Sequence, residues 1–343
     1  MEKFSQFRDR GSGISPFIPV TTPSSLPATA LHAFLFLVRL PFFLFTSIGY
    51  FLILQHLPLP ALIRKLLLWC ILAIPGIWWV DLQLDGVKRG SLSQQPRSRV
   101  PHPKSIIAAN FTSPIDALYL AAVFDPIFVA ATPTSRRVRR IGLFSAIRAA
   151  LSPSAQLSSE VFDSHEWEGA GGGKTEDTCS LRELVARYPG RVIAVFPECG
   201  TTNGKGVLPL SPCLLTAPPD SAIFPVSMRY TPPDVTTPVP GLQGWASFLW
   251  KLLGRPTHCI RVRIAEGMFN TTGAPNGVSG SPVDERTALD SGGVTRRKVA
   301  PTEEEQRLLD RVAEALARLG RAKRVGLTLE DKKRFVAAWS KRK

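Results

Sequence analysis

The stretch Arg191-Val192-Ile193-Ala194-Val195-Phe196-Pro197-Glu198-Cys199-Gly200-Thr201-Thr202-Asn203-Gly204-Lys205-Gly206 decides how the rest of the chain is read. Arg191 to Phe196 is β-branched and apolar, as a buried strand requires. Pro197 ends it, and a glycine-punctuated loop follows. Such a loop exposes backbone N–H groups that can cradle an anion. Upstream, Leu181 to Tyr188 reads as a helix closed by Pro189-Gly190. Working outward, strand candidates fall at Ser105–Ala109, Pro126–Ala131, Ala222–Arg229 and Cys259–Ile264. Helical stretches fall at Ser113–Val123 and Ile141–Leu151. Strands alternating with helices predict an α/β fold with a largely parallel sheet flanked by helices. Sites in such sheets lie beyond the carboxyl ends of the strands, where Glu198 to Gly206 falls.

Lysine and arginine outnumber the acids by 42 to 27, a formal net charge of +15. Nucleic acid and an anionic membrane surface both attract such a charge. The apolar residues favour the membrane, and no nucleic-acid-binding module is recognisable, so no nucleic-acid partner is expected. Leu40–Leu54 and Leu66–Val80 are uncharged runs of 15 residues, about 22 Å of helix each, against a hydrocarbon core of about 30 Å. Extending the first run back to Ala33 carries Arg39 inward, at about 2.5–3.5 kcal/mol near mid-membrane. A half-inserted hairpin turning at His56-Leu57-Pro58-Leu59-Pro60 is the expectation, with buried core helices as the plainer alternative.

The polar residues 1–30 are expected to be disordered, and 31–82 to form the hydrophobic membrane anchor. The α/β domain is placed at 100–268 with a flexible insert at 152–180, a linker at 269–300 and a helical basic tail at 301–343. Thr302 and Glu305 form a capping-box pattern ahead of an apolar stripe through Leu308, Leu309, Val312, Leu316 and Leu319. The odd count of five cysteines, without metal-ligand spacing, suits a reducing, cytosol-facing compartment, and no metal is expected.

A second block, Asn110-Phe111-Thr112-Ser113-Pro114-Ile115-Asp116, precedes the first. Together they resemble the glycerolipid acyltransferases, the lysophosphatidic acid and lysophospholipid acyltransferase family. The upstream block resembles that family's Asn-His-x-Ser-x-x-Asp motif, and Val195–Gly206 its Phe-Pro-Glu-Gly-Thr block. Ile223-Phe224-Pro225-Val226 resembles a later Pro-Val strand. The resemblance implies a histidine as general base held by the aspartate. It carries over Asn110, Ser113 and Asp116 as catalytic positions, with Phe111 where the histidine is expected. Asp116 has a second reading as a helix cap, since Ser113 is a plausible N-cap and Pro114 suits the first helical turn.

In the downstream block, Glu198, Gly200, Thr201, Thr202, Asn203 and Gly204 are candidate substrate contacts. The arginine that holds acceptor phosphate in the common form of the family is replaced by Thr201. Lys205 is one candidate substitute, and Arg137 and Arg140 of the Arg136–Arg140 cluster are others. His102 and His165 are the only histidines placed where a fold could swing a base inward. A thiol nucleophile at Cys199 lacks a nearby base. Gly169–Thr175 lacks the first glycine of a phosphate-binding loop.

The arrangement is most similar to the fungal lysophosphatidic acid:oleoyl-CoA acyltransferases. It implies acyl transfer from acyl-CoA to a lysophospholipid, with lysophosphatidic acid the leading acceptor, in glycerolipid synthesis. Membrane lipids, acyl-CoA and the acceptor are the implied partners, acyl-CoA is a co-substrate, and no cofactor is expected. A cytosol-facing site on the endoplasmic reticulum or a lipid droplet follows from the same resemblance. The alternative motivated by Phe111 is a non-catalytic relative that binds acidic lipids.

Overall fold

A computed structural model describes residues 2–23, 25–87, 96–152, 178–271 and 301–341. Helices α1 (Leu26–Leu52) and α2 (Ala61–Ala73) lead into strand β1 (Ile77–Leu84). Next come β2 (Ile106–Ala109), α3 (Pro114–Phe124), β3 (Ile127–Ala131), β4 (Val138–Ile141), α4 (Leu143–Leu151) and α5 (Leu181–Arg187). They are followed by β5 (Ile193–Val195), β6 (Gly206–Val207), β7 (Ile223–Thr231), α6 (Leu242–Gly254) and β8 (His258–Ile264). Helix α7 (Glu303–Gly320), β9 (Lys323–Arg324) and α8 (Leu329–Ser340) complete the described chain.

Seven strands form one mixed sheet in the order β1-β8-β7-β2-β5-β3-β4. The pairings β1–β8, β7–β2, β2–β5 and β5–β3 are parallel, while β8–β7 and β3–β4 are antiparallel. Every residue of β2 and β5 is buried, as central parallel strands covered on both faces must be. One face carries α2, α3, α4 and α6, which bury Leu72, Ile115, Leu120, Leu151 and Leu252 against Ile107, Phe224 and Val226. The other face packs α5 and α7 through Leu181, Leu184, Leu308 and Leu316 onto Ile106, Ile193 and Val195.

The expected α/β sheet is present, but three boundaries differ. The second apolar run is not one membrane arm: α2 stops at Ala73, Gly76 turns the chain at φ +82°, and Ile77–Leu84 becomes an edge strand paired with β8. Seven sheet partners along that strand outweigh the apolar composition that suggested a helix. The sheet therefore begins before residue 100. The expected helical tail is an integral layer instead, because the α7 stripe lies in the sheet core. Lastly, residues 2–23 do not match the expected disorder. Phe4, Phe7 and Phe17 are buried around Phe335 of α8, with ring centroids 5.6, 5.2 and 5.9 Å away. Three isolated phenylalanines in a polar segment carry no period, and their partner lies some 320 residues later. The expected insert and linker fall mostly on residues 153–177 and 272–300, outside the described residues, as does His165.

Helix α1 is the one helix, among the described residues, long and apolar enough to cross a membrane. One side lies on the body. Phe36 meets Trp250 of α6 at 5.2 Å, and Phe51 meets Phe144 of α4 at 5.4 Å. The Arg39 guanidinium donates to the carbonyls of Arg255 (2.6 Å) and Pro256 (3.0 Å), so its charge is met by protein. The opposite side exposes Phe34, Leu37, Phe42, Phe45 and Leu52, and Trp78 and Trp79 of β1 are exposed as well.

Candidate functional site

The β2–α3 turn is fixed from within. Asn110 donates from Nδ2 to the Met228 carbonyl (2.9 Å) and accepts at Oδ1 from the Met228 N–H (2.7 Å). This two-way clamp holds the turn to β7. Ser113 caps α3, Pro114 opens it, and Asp116 closes a capping box. Asp116 is fully buried. Its Oδ2 accepts from the N–H groups of Thr112 (2.7 Å) and Ser113 (2.8 Å) and from Thr112 Oγ1 (3.1 Å). Its Oδ1 accepts from the Tyr230 hydroxyl on β7. Burial raises its pKa to about 6 against the pull of these donors.

Phe111 is buried and stacks on Phe196, with centroids 4.4 Å apart and planes at 22°. No described histidine reaches Asp116. His102 lies before β2, at the far end of the strand from the turn, with Nδ1 3.1 Å from the Val100 carbonyl. His258 is buried against the Leu252 carbonyl (2.8 Å). The oxygen of Asp116 that could have oriented an imidazole is held by Tyr230 instead.

The β5 turn faces this one. The Thr202 N–H donates to the Phe111 carbonyl at 3.0 Å, and the Thr237 N–H donates to Thr112 at 2.8 Å. Glu198 is fully buried and accepts from the Leu208 N–H (3.1 Å) and the Phe111 N–H. Burial, acting first and most strongly, raises its pKa to about 8. A crevice with room for about one water molecule lies between Asn110, Glu198, Thr202, Gly204, Ser227 and Gly320.

The glycine loop does not present the N–H cradle expected of it. Thr202 N–H is committed to Phe111, Asn203 N–H to the Pro16 carbonyl (2.8 Å), Gly204 N–H to Thr202 Oγ1 (3.3 Å) and Lys205 N–H to Asn203 Oδ1 (3.1 Å). Asn203 Nδ2 also donates to the carbonyls of Ser15 (2.8 Å) and Ile18 (2.9 Å). The N-terminal segment is thus strapped across the loop. Cys199 adopts φ +55°, a left-handed conformation, at the position where the resembled block has glycine. Burial pushes its thiol well above the usual range, which removes the thiolate that nucleophilic attack needs.

The candidate cations fall elsewhere. Lys205 is exposed. Arg137, just before edge strand β4, donates from Nε to the Thr178 carbonyl (2.9 Å), and Arg140 of β4 donates to the Tyr188 hydroxyl (2.9 Å). Sequence reasoning missed Lys332 of α8. It is fully buried, and its Nζ donates to the Thr201 carbonyl (2.7 Å) and Thr201 Oγ1 (3.0 Å). Burial lowers its pKa to about 7, with Glu198 pulling the other way. A Cβ on Gly200 would come 2.4 Å from Leu329 Cδ2, so the bare glycine admits α8. Within the charged run Glu330-Asp331-Lys332-Lys333, nothing marks Lys332 as the inward residue. Tyr230 was missed because a tyrosine on a strand has an ordinary place in a core.

Fold and site define an α/β protein with an exposed apolar helix, whose Asn110–Asp116 and Glu198–Gly206 blocks close on one another at the carboxyl end of the central strands. No family model matches the chain. The chain is similar to a Schizosaccharomyces pombe protein (strain 972) named "Putative lysophosphatidic acid:oleoyl-CoA acyltransferase". The two are 28% identical over 359 residues, spanning 100% of this chain and 99% of the relative. The chain thus resembles the fungal branch of the glycerolipid acyltransferase family along its whole length.

Proposed function

We propose that this protein is a membrane-surface acyltransferase that moves a fatty acyl group from acyl-CoA to the hydroxyl of a lysophospholipid, with lysophosphatidic acid as the leading acceptor. The observation that carries this reading is full-length similarity to the fission-yeast protein, joined to the direct packing of its two sequence blocks through Thr202 and Phe111. The exposed face of α1 suits a lipid surface, where both substrates concentrate; the endoplasmic reticulum and lipid droplets are the proposed locations. The chemistry needs no metal or prosthetic group, because acyl-CoA brings its own leaving group.

In this reading Glu198 replaces the missing histidine. It lines the crevice, and its raised pKa makes its ionised form a stronger proton acceptor than an ordinary carboxylate, with more of that form present as pH rises toward 8. The acceptor hydroxyl gives its proton to the Glu198 carboxylate as its oxygen bonds the acyl carbon. The carbon–sulfur bond breaks, and the departing CoA thiolate takes the proton. Asn110 and Asp116 hold the turn that faces Glu198. Substrate entry requires the crevice to widen, and the Pro16 strap and α8 are the elements lying against the loop.

The stacking of Phe111 on Phe196 and the Tyr230 bond to Asp116 favour a second reading, a lipid-binding relative without turnover. Purified protein in lipid nanodiscs, supplied with radiolabelled oleoyl-CoA and lysophosphatidic acid, separates the two. Product well above an Asp116→Ala, Glu198→Ala double variant is expected. Equal background from both proteins rejects the enzyme.

A further inference from the structure

The antiparallel register of β7 and β8 sets Ser227 opposite Arg263 and Arg229 opposite Arg261. Side chains alternate across a strand, so Ser227 and Arg229 share one face with Arg261 and Arg263. It is the face covered by α7. That helix ends there: Gly320 lies so close to Ser227 that a Cβ would stand 3.0 Å from its Oγ, and Arg321 follows at φ +47°. Four arginines from three elements meet as a result.

Their counter-charge is sparse. Arg261 Nε reaches Asp81 Oδ2 on β1 at 3.1 Å. Arg263 is held by neutral groups, Gln83 Oε1 at 3.2 Å and the Leu319 carbonyl at 3.0 Å. The neighbouring Asp85 is paired with Arg318 at 2.5 Å. Among the described residues, no acid pairs with the side chains of Arg229 or Arg321. Burial first, then Arg261 and Arg321, holds the Arg229 guanidinium below its ordinary value; Arg263 is lowered by burial, then Arg321, Arg261 and Arg229, with Asp81 pulling the other way. Like charges directly opposed across strands destabilise a sheet. An arriving anion would reverse that sign.

The cluster adjoins the candidate site. Ser227 and Gly320 line the crevice together with Asn110 and Glu198, and Arg229 and Arg321 are the next residues outward on β7 and after α7. In the glycine loop, the N–H groups of Thr202 to Lys205 are already committed within the protein.

We propose that Arg229, Arg261, Arg263 and Arg321 form a binding site for a phosphate-bearing group, seated beside the crevice so that the rest of its molecule reaches Glu198. Guanidinium forks match phosphate oxygens in pairs, which a point charge does not. Phosphate chemistry of this kind comes from coenzyme A or from the headgroup of lysophosphatidic acid. The inference rests on the acyltransferase reading for the choice of these two probes.

The test uses the full chain in nanodiscs and an Arg229→Ala, Arg321→Ala variant, with binding of coenzyme A and of lysophosphatidic acid measured separately from turnover. A loss of about tenfold in affinity, the size of one or two charge-assisted hydrogen bonds, is expected for one probe. Loss for coenzyme A alone assigns the site to the cofactor-like phosphates, and loss for lysophosphatidic acid alone assigns it to the headgroup. Either supports the proposal. The variant should melt no lower than the parent, since like charges are removed. An Arg229→Lys, Arg321→Lys variant, which keeps the charge but not the forks, should recover binding only in part. Unchanged affinity for both probes overturns the proposal. So does an equal loss on phosphatidylserine nanodiscs carrying neither probe, which would make the cluster a diffuse membrane-facing charge. Binding that depends on the arginines in a protein without turnover supports the site while retiring the acyltransferase reading.

Discussion

Two buried carboxylates sit at the same end of adjacent parallel strands, and they are held in opposite ways. Asp116 receives four donors, three from its own turn and one from Tyr230. Glu198 receives two backbone N–H groups and has the Lys332 cation nearby. Both are fully buried and both are raised by burial, Asp116 to about 6 and Glu198 to about 8. Donors to the charged form oppose desolvation, so the better-bonded acid stays closer to its ordinary value. Asp116 is thereby a cap held by its donors, and Glu198 is the carboxyl that lines the crevice, where a proton can pass to or from a bound molecule.

The largest effect that could break this contrast is on turnover. Glu198→Gln keeps the shape of the side chain and removes the proton acceptor, so product formation in nanodiscs should fall by about 10²–10⁴-fold. An imidazole-free Asp116 should behave differently. Asp116→Ala leaves the Thr112 and Ser113 N–H groups and the Tyr230 hydroxyl unpaired in a dry core, at about 1–3 kcal/mol per orphaned donor. Its main signature should be a lowered denaturation midpoint, with Tyr230→Phe losing only about 1 kcal/mol. Chemical denaturation of the two variants checks this. A Glu198→Gln protein that still turns over at the parent rate removes Glu198 from the chemistry.

Stability against pH sharpens the same comparison. Glu198, raised from 4.5 to about 8, favours the folded state most at low pH, and that contribution is lost as pH rises to 8. Lys332, lowered from 10.5 to about 7, acts the other way: its contribution is present above 10.5 and lost as pH falls to 7. Between pH 7 and 8 the two slopes oppose. Lys332→Met should expose the falling slope, and Glu198→Gln the rising one. Denaturant titrations at half-unit pH steps read both; parallel slopes in the two variants would show that the pair does not titrate as placed.

The sheet was legible because β2 and β5 are short runs of apolar residues and because Ser113-Pro114 and Thr302 to Glu305 announce helix starts with their own chemistry. The proximity of the Asn110 and Glu198 turns was legible from their positions at strand ends. What was not legible depends on partners far away in the chain. Trp79 reads as a membrane residue until β8 supplies a ladder for it. Phe4, Phe7 and Phe17 gain their burial from α8. Lys332 looks solvated until Gly200 lets α8 close on Thr201. The acid–base contrast had the same limit, since a spacing of residues cannot count the donors that reach each carboxylate.

The smallest expected effect probes the backbone beneath Glu198. Cys199 holds φ +55° and donates its N–H to the Phe196 carbonyl at 3.0 Å, closing the turn that aims the carboxyl inward. A left-handed residue with a Cβ is strained by about 1–2 kcal/mol, and glycine relieves this while giving back some entropy in the unfolded chain. Cys199→Gly should therefore stabilise the fold by about 0.5–1 kcal/mol, read as a rise in denaturation midpoint. Its thiol is too far above the neutral range to act as a nucleophile, so turnover should survive the change. Loss of turnover without loss of stability would mean that the thiol, rather than the neighbouring carboxyl, carries the reaction at this turn.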